Sequence, residues 1–195
     1  DQSDPNPREL DGGRRVSVAV VASACAGPTS QRGPDVMTTV AVVGVGRWGK
    51  RLLRVLDAHA RVLRCCHRGT PETAQWLQAH YPHITRTVQF DDLLEDDRVE
   101  AVVIATPIDT HASMARRVLE AGKHVFVEKP LATTASDARA LVDLARAQGR
   151  ILFVGHVFLF HPVLERIQQA IREDPVRYVV MHWAKWGTFT DDLLW

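Results

Sequence analysis

The 195-residue sequence predicts an α/β fold: a doubly wound parallel sheet followed by the start of a second, α+β domain. Three observations carry this expectation. From Met37 onward, short apolar runs alternate with helical patterns across short connections, as in consecutive βαβ units. The runs Val40 to Val43 and Ala101 to Ala105 are continuously apolar, as in strands that a parallel sheet covers on both faces. Between the first run and its helix, Gly44, Gly46 and Gly49 spell G-x-G-x-x-G.

That glycine stretch is the first element. Gly44 permits a tight turn, Gly46 lets a pyrophosphate approach the backbone, and Gly49 lets the new helix pack on the strand. The helix N-terminus, entered through Arg47 and Trp48, presents unpaired N–H groups to an anion. Leu52, Leu53 and Leu56 continue an apolar helix face, the context in which the fingerprint reads as a Rossmann dinucleotide turn. Residues 61–66 form a second strand and 72–80 a helix with Ala74, Trp76 and Leu77 inward. A short third strand lies within 85–90 and a short helix at 91–94. The fourth strand is 101–105. Asp109 or Thr110 is expected to cap the next helix, which ends at Gly122 with Lys123 beside the negative end of its dipole. A fifth strand spans 124–128. The helix of 134–148 opens on Thr134-x-x-Asp137, a variant of the capping box, and stops at Gly149 before a sixth strand at 151–155. Beyond Gly155 the pattern changes to a helix at 162–172 and a long strand at 176–186.

Composition excludes some roles. With 24 basic and 23 acidic residues the net charge is +1, so nothing calls for nucleic acid or an anionic membrane. No apolar run approaches the ~20 residues of a spanning helix. Cys65 and Cys66 are adjacent on a strand and read as reduced core thiols of a cytoplasmic protein; no metal site is expected. Residues 1–36 are unlike the rest, polar and Pro/Gly-rich around a short apolar run. An export signal with Cys25 as a lipid-attachment site is one reading. Against it stand Asp1, Asp4, Glu9 and Asp11 where positive charge is wanted. The preferred reading takes Met37 as the natural start and 1–36 as a disordered or non-native extension. The dinucleotide domain then covers 37–158, and 159–195 begins a substrate domain that is cut short.

Candidate chemistry falls at strand ends, where open α/β sheets bind ligands. His67 and Arg68 follow the second strand where an acid would hold a ribose hydroxyl of NAD. A cation there suits the 2′-phosphate of NADP, so NADP is favoured slightly over NAD. Thr106 and Pro107 follow the fourth strand, with a hydroxyl for a ribose or phosphate and His111 one turn on. Glu128, Lys129 and Pro130 follow the fifth. A lysine emerging there can donate to a substrate hydroxyl and stabilise a developing alkoxide. Taken singly, each of these is a loop starter or a solvated charge.

Taken together and in order, G-x-G-x-x-G (44–49), ATP-x-x-x-H (105–111), AGKHV-x-x-EKP (121–130) and VGH-x-F-x-x-x-P (154–162) resemble the glucose–fructose oxidoreductase / inositol dehydrogenase / rhizopine catabolism (Gfo/Idh/MocA) family. The resemblance covers 38–195. GRWGK at 46–50 and GHVFLFHP at 155–162 are most similar to the branch acting on nucleotide-linked sugars. The resemblance implies a two-domain NAD(P)-dependent dehydrogenase that moves hydride from a secondary alcohol of a sugar or nucleotide sugar to nicotinamide. It implies cofactor contacts from Gly44, Gly46, Arg47, Trp48, Gly49, His67, Arg68, Thr106, Pro107, His111, Glu128 and Lys129. Lys129 is implied as catalytic and substrate-contacting, with His156 and His161 at the substrate side; His161 stands where the branch often has Asn. The proton acceptor in the family is commonly a second-domain histidine, expected just after Trp195. The chain is therefore expected to bind cofactor weakly and turn over little, within a full-length parent that is a homo-oligomer. Two rivals keep the fold: a non-catalytic NAD(P)-binding regulator or sensor, and an NAD-dependent glycosidase.

Overall fold

A computed structural model describes residues 37–173 and residue 180. The expected extension at 1–36 and all but one residue of the expected strand at 176–186 lie outside the described residues. Six strands form one parallel sheet: β1 (Thr39–Val43), β2 (Arg61–Cys66), β3 (Thr85–Thr87), β4 (Ala101–Ile104), β5 (His124–Val127) and β6 (Leu152–Val154). Their spatial order is β3-β2-β1-β4-β5-β6, so the chain reverses direction of growth between β1 and β4. That crevice is where such sheets take ligands. The helices α1 (Arg47–His59), α2 (Pro71–His80), α3 (Asp91–Leu94), α4 (Ile108–Glu120) and α5 (Ala135–Ala147) connect the strands, and α6 (Pro162–Glu173) follows a 3-10 turn at Val157–Phe160.

Strand side chains alternate between two apolar cores, one on each face of the sheet. Val40, Val42, Val62, Cys65 and Val103 pack with Leu53 of α1 and Leu77 of α2. Ala41, Val43, Cys66, Val102 and Ile104 pack with Leu93, Val118, Leu119 and Leu141 on the other side. The adjacent cysteines accordingly face opposite cores, both buried and unbonded to each other. Burial pushes the Cys65 thiol up to about 12, with Cys66 and Asp57 adding to the effect.

Several local expectations are corrected. The short third strand expected within 85–90 is Thr85–Thr87, and beyond it the Gln89 N–H bonds the Thr87 hydroxyl at 3.0 Å and turns the chain. Helix α4 begins at Ile108, ahead of both expected caps. Pro107, with φ −60°, supplies the entry, and no side chain caps it. Thr110 instead donates its hydroxyl back to the Pro107 carbonyl at 2.7 Å. Lys123 does close the end of α4, its N–H donating to the Val118 carbonyl at 3.1 Å, but its side chain bonds elsewhere. It is 6% exposed, and its Nζ donates to the carbonyls of Asp96 and Val99, both at 2.9 Å. Thr134 does cap α5: its Oγ1 accepts from the Asp137 N–H at 3.1 Å and donates to the Asp137 carboxylate at 2.7 Å. In α6 no residue is buried, and Val163, Ile167 and Ile171 form an exposed apolar stripe at helical spacing.

Candidate dinucleotide and hydride-transfer site

The backbone ladder runs one step past the strands. The N–H groups of Gly44, Ala105, Glu128 and Gly155 donate to Cys66, Val43, Ile104 and Val127 at 2.8 to 3.0 Å. Four strand exits therefore stand level along one edge of the sheet, and the sequence motifs sit on them.

The three glycines of the first turn have three different surroundings. Gly44 has φ +90°, and a Cβ there would lie 2.4 Å from the Ala105 carbonyl oxygen. A Cβ on Gly49 would lie 2.0 Å from the Gly44 oxygen, so α1 touches the turn backbone to backbone. A Cβ on Gly46 would meet nothing within 4 Å. The first two glycines thus serve the protein's own packing, and the third faces open space. Gly46 is the N-cap of α1; no side chain caps this helix, and its first turn holds no acidic residue. Open room, uncapped N–H groups and the positive dipole end together suit a diphosphate.

Beside this turn lies a cleft of about 290 Å³ lined by Trp48, Ala105, Thr106, Pro107, Ile108, His111, Glu128 and Lys129. Trp48 is 41% exposed, with the Arg51 guanidinium 5.3 Å from its ring centre. The Thr106 hydroxyl is already engaged, 2.7 Å from the Thr110 hydroxyl. His111 is buried, its Nδ1 2.7 Å from the Pro130 carbonyl oxygen and its Nε2 2.8 Å from that of Thr106. Lys129 joins Pro130 through a cis peptide bond. Glu128 is 7% exposed, yet its Oε1 has no hydrogen-bond partner. A buried carboxylate oxygen without a donor is costly, and Glu128 is one of the residues that line the cleft. Gly155 makes room for it: a Cβ there would lie 3.1 Å from Glu128 Oε1.

His67 and Arg68 lie at the β2 exit, outside this cleft. The His67 N–H donates to Thr87 at 3.1 Å, which joins the exits of β2 and β3. Burial lowers the pKa of His67, and the charge of Arg86 lowers it further, so the neutral ring is favoured. Its Nδ1 is buried without a partner. The positive charge at this edge therefore comes from Arg68 and from Arg86, a residue that sequence reasoning missed. No local signal marked it, because its place follows from the β2–β3 register, in which Arg86 pairs with Cys65. His156 and His161 are not among the residues lining the cleft. His161 is exposed at the entry to α6, where its Nδ1 lies 3.3 Å from the Val163 nitrogen. Among the described residues, no cluster of His, Cys, Asp and Glu could hold a metal ion, and no helix is long and apolar enough to cross a membrane.

Residues 38–156 match the family model described as the oxidoreductase family with an NAD-binding Rossmann fold, Gfo/Idh/MocA. A dTDP-3,4-didehydro-2,6-dideoxy-alpha-D-glucose 3-reductase of Saccharopolyspora spinosa is 44% identical over 115 residues, covering 58% of this chain and 34% of its own length. The crystal structure of GenD2 from gentamicin A biosynthesis, in complex with NAD, is 33% identical. It superposes with a TM-score of 0.63 over 69% of this chain and 38% of that one. A variant of KijD10, a 3-ketoreductase of Actinomadura kijaniata solved with TDP-benzene and NADP, is 30% identical with a TM-score of 0.63, over 71% of this chain and 44% of that one. The chain thus spans well under half the length of these relatives. A glycine turn open at one glycine, a lysine at the neighbouring cleft and the match over 38–156 lead to one conclusion: the chain belongs to the Gfo/Idh/MocA family of NAD(P)-dependent oxidoreductases.

Proposed function

We propose that this chain is the cofactor half of a dehydrogenase that oxidises a secondary alcohol of a sugar or nucleotide sugar. The observation that carries the reading is the cleft that Glu128 and Lys129 line beside the open Gly46, with Glu128 Oε1 a buried acceptor that lacks a partner. The relatives named above, one acting on a dTDP sugar and one solved with a TDP ligand, support the substrate class.

In this reading the pyrophosphate rests on the N–H groups at the start of α1, over Gly46. Glu128 accepts from a hydroxyl or amide donor of the bound dinucleotide, and Trp48 walls the cleft on the α1 side. When bound, the nicotinamide supplies the hydride acceptor. Lys129 donates a hydrogen bond to the substrate hydroxyl oxygen and steadies negative charge as the proton leaves that oxygen for a base. His156 and His161, which follow β6 outside this cleft, are kept in this reading as substrate-side residues. Replacing Lys129 with Ala is expected to lower kcat in the full-length protein by about 10²-fold, with cofactor affinity little changed. Steady-state kinetics with nicotinamide absorbance reads both, and unchanged kcat would return Lys129 to a surface charge.

NADP is the preferred form in this reading, because Arg68 and Arg86 crowd the β2 edge with positive charge and no acid follows β2. Asp92, whose charge opposes that of Arg68 at the Cys66 thiol, is the carboxylate that offsets part of that positive charge. Arg86→Ala is expected to weaken NADPH binding by about tenfold and leave NADH binding as it was. Equal losses for the two cofactors in a fluorescence titration would contradict the assignment.

A further inference from the structure

We propose that His111 is a positioning residue: its ring ties the β4 exit to the β5 exit and so sets where Lys129 stands relative to Thr106. The inference rests on the reading of Lys129 given above. His111 projects from the first turn of α4 and is 2% exposed. Its Nδ1 is 2.7 Å from the carbonyl oxygen of Pro130, and its Nε2 is 2.8 Å from that of Thr106. Both contacts are to backbone acceptors on the two loops that line the cleft. A ring bearing one N–H bonds one of these carbonyls, and a ring bearing two bonds both. In either state both nitrogens face the protein, which leaves neither for direct contact with a dinucleotide.

The tie also reaches the glycine turn. Ala105 is seated against Gly44, where a Cβ would lie 2.4 Å from its carbonyl oxygen and 3.0 Å from Thr106 Cγ2. The Thr106 hydroxyl is fixed 2.7 Å from Thr110 on the same helix turn as His111. The β4 exit is therefore held to the turn by contact, and His111 passes that placement on to Pro130 and its neighbour Lys129. Glycine turn, Thr106 and Lys129 come from three separate strand ends, and one buried ring registers the last against the other two. Misplacing a reacting group by about 1 Å is enough to cost much of its effect.

Hydrogen exchange read by mass spectrometry on the full chain tests this, with wild type, His111→Ala and His111→Gln compared. The amides of Ala105 and Glu128, bonded to the Val43 and Ile104 carbonyls, are expected to exchange about tenfold faster in His111→Ala, while those of β2 and β3 keep their wild-type protection. His111→Gln keeps an N–H donor and is expected to recover part of the protection. Should His111→Ala fail to fold, the glutamine variant carries the test against wild type. Wild-type protection at either exit in His111→Ala would overturn the proposal, and so would an equal loss across the whole sheet. NADPH and NADH titration of the wild-type chain separates the two readings. Binding of neither, with local loss of protection in the variants, would refute the cofactor reading and still support the tie.

Discussion

The two edges of the sheet treat polar groups differently. At the N-terminal edge they serve one another. The Thr39 N–H donates to Glu100 at 2.8 Å, Lys123 holds the carbonyls of Asp96 and Val99, and the Asp96 carboxylate takes Arg64 at 2.6 Å and Arg98 at 2.8 Å. Arg150 Nε is the exception there, buried without a partner. At the C-terminal edge the backbone is fixed just as firmly, but polar atoms are left over. Glu128 Oε1 and His67 Nδ1 are buried and unpartnered, Gly46 faces open room, and Trp48 stands exposed. Of the three buried, unpartnered side-chain atoms among the described residues, two lie at the C-terminal edge, which also holds the open glycine. Unpaired buried groups cost stability, so an edge that keeps them is read most simply as a binding edge.

The largest expected effects come from the glycines that hold the binding edge together. Gly44→Ala forces a side chain onto a φ of +90°, a cost of about 1–3 kcal/mol. The overlap with Ala105 adds to this, on the order of 1–3 kcal/mol if the neighbours shift to accept it. Gly49→Ala carries the overlap alone, against the Gly44 oxygen. Both variants are expected to lower the thermal midpoint and to lose cofactor binding with it. A variant that kept its melting temperature would show the turn to be looser than its contacts imply.

A smaller effect tests the other edge. Hydrogen bonds from Arg98 and then Arg64 hold the Asp96 carboxyl well below the usual carboxylate range. The sign follows from that depression. The ionised group stabilises the fold above its unfolded value near 3.8, and the contribution is lost as pH falls through the lower folded value. Asp96→Asn is expected to melt below wild type at pH 7, with the gap closing under acid, while cofactor affinity stays the same. A gap that persisted unchanged to low pH would mean that shape, not charge, makes this site.

Much of the fold was legible because it rests on local signals. Continuous apolar runs, the spaced glycines and the Thr134 cap each state their role within a few residues. The site was legible only in part. Lys129 and the glycine turn could be named from motifs, but the partners of polar atoms depend on register between strands far apart in sequence. Arg86 meets His67 only because β3 pairs with β2 one residue earlier. Glu128 Oε1 is left without a donor beside Gly155, a residue of the next strand exit with no side chain to offer one. His111 reads as a cleft residue by spacing, and the structure turns both its nitrogens to carbonyls. The α4 start was missed because Pro107, not a side-chain cap, makes it.

Gly46 offers the most direct test of the central claim, that the open glycine is open for a dinucleotide. Its Cβ would touch nothing in the protein, and its φ of −74° accepts any residue. Gly46→Ala should therefore melt with wild type yet bind NADPH and NADH more weakly by about tenfold or more, because the methyl takes the room of the pyrophosphate. Wild-type affinity in a variant of unchanged stability would contradict the claim.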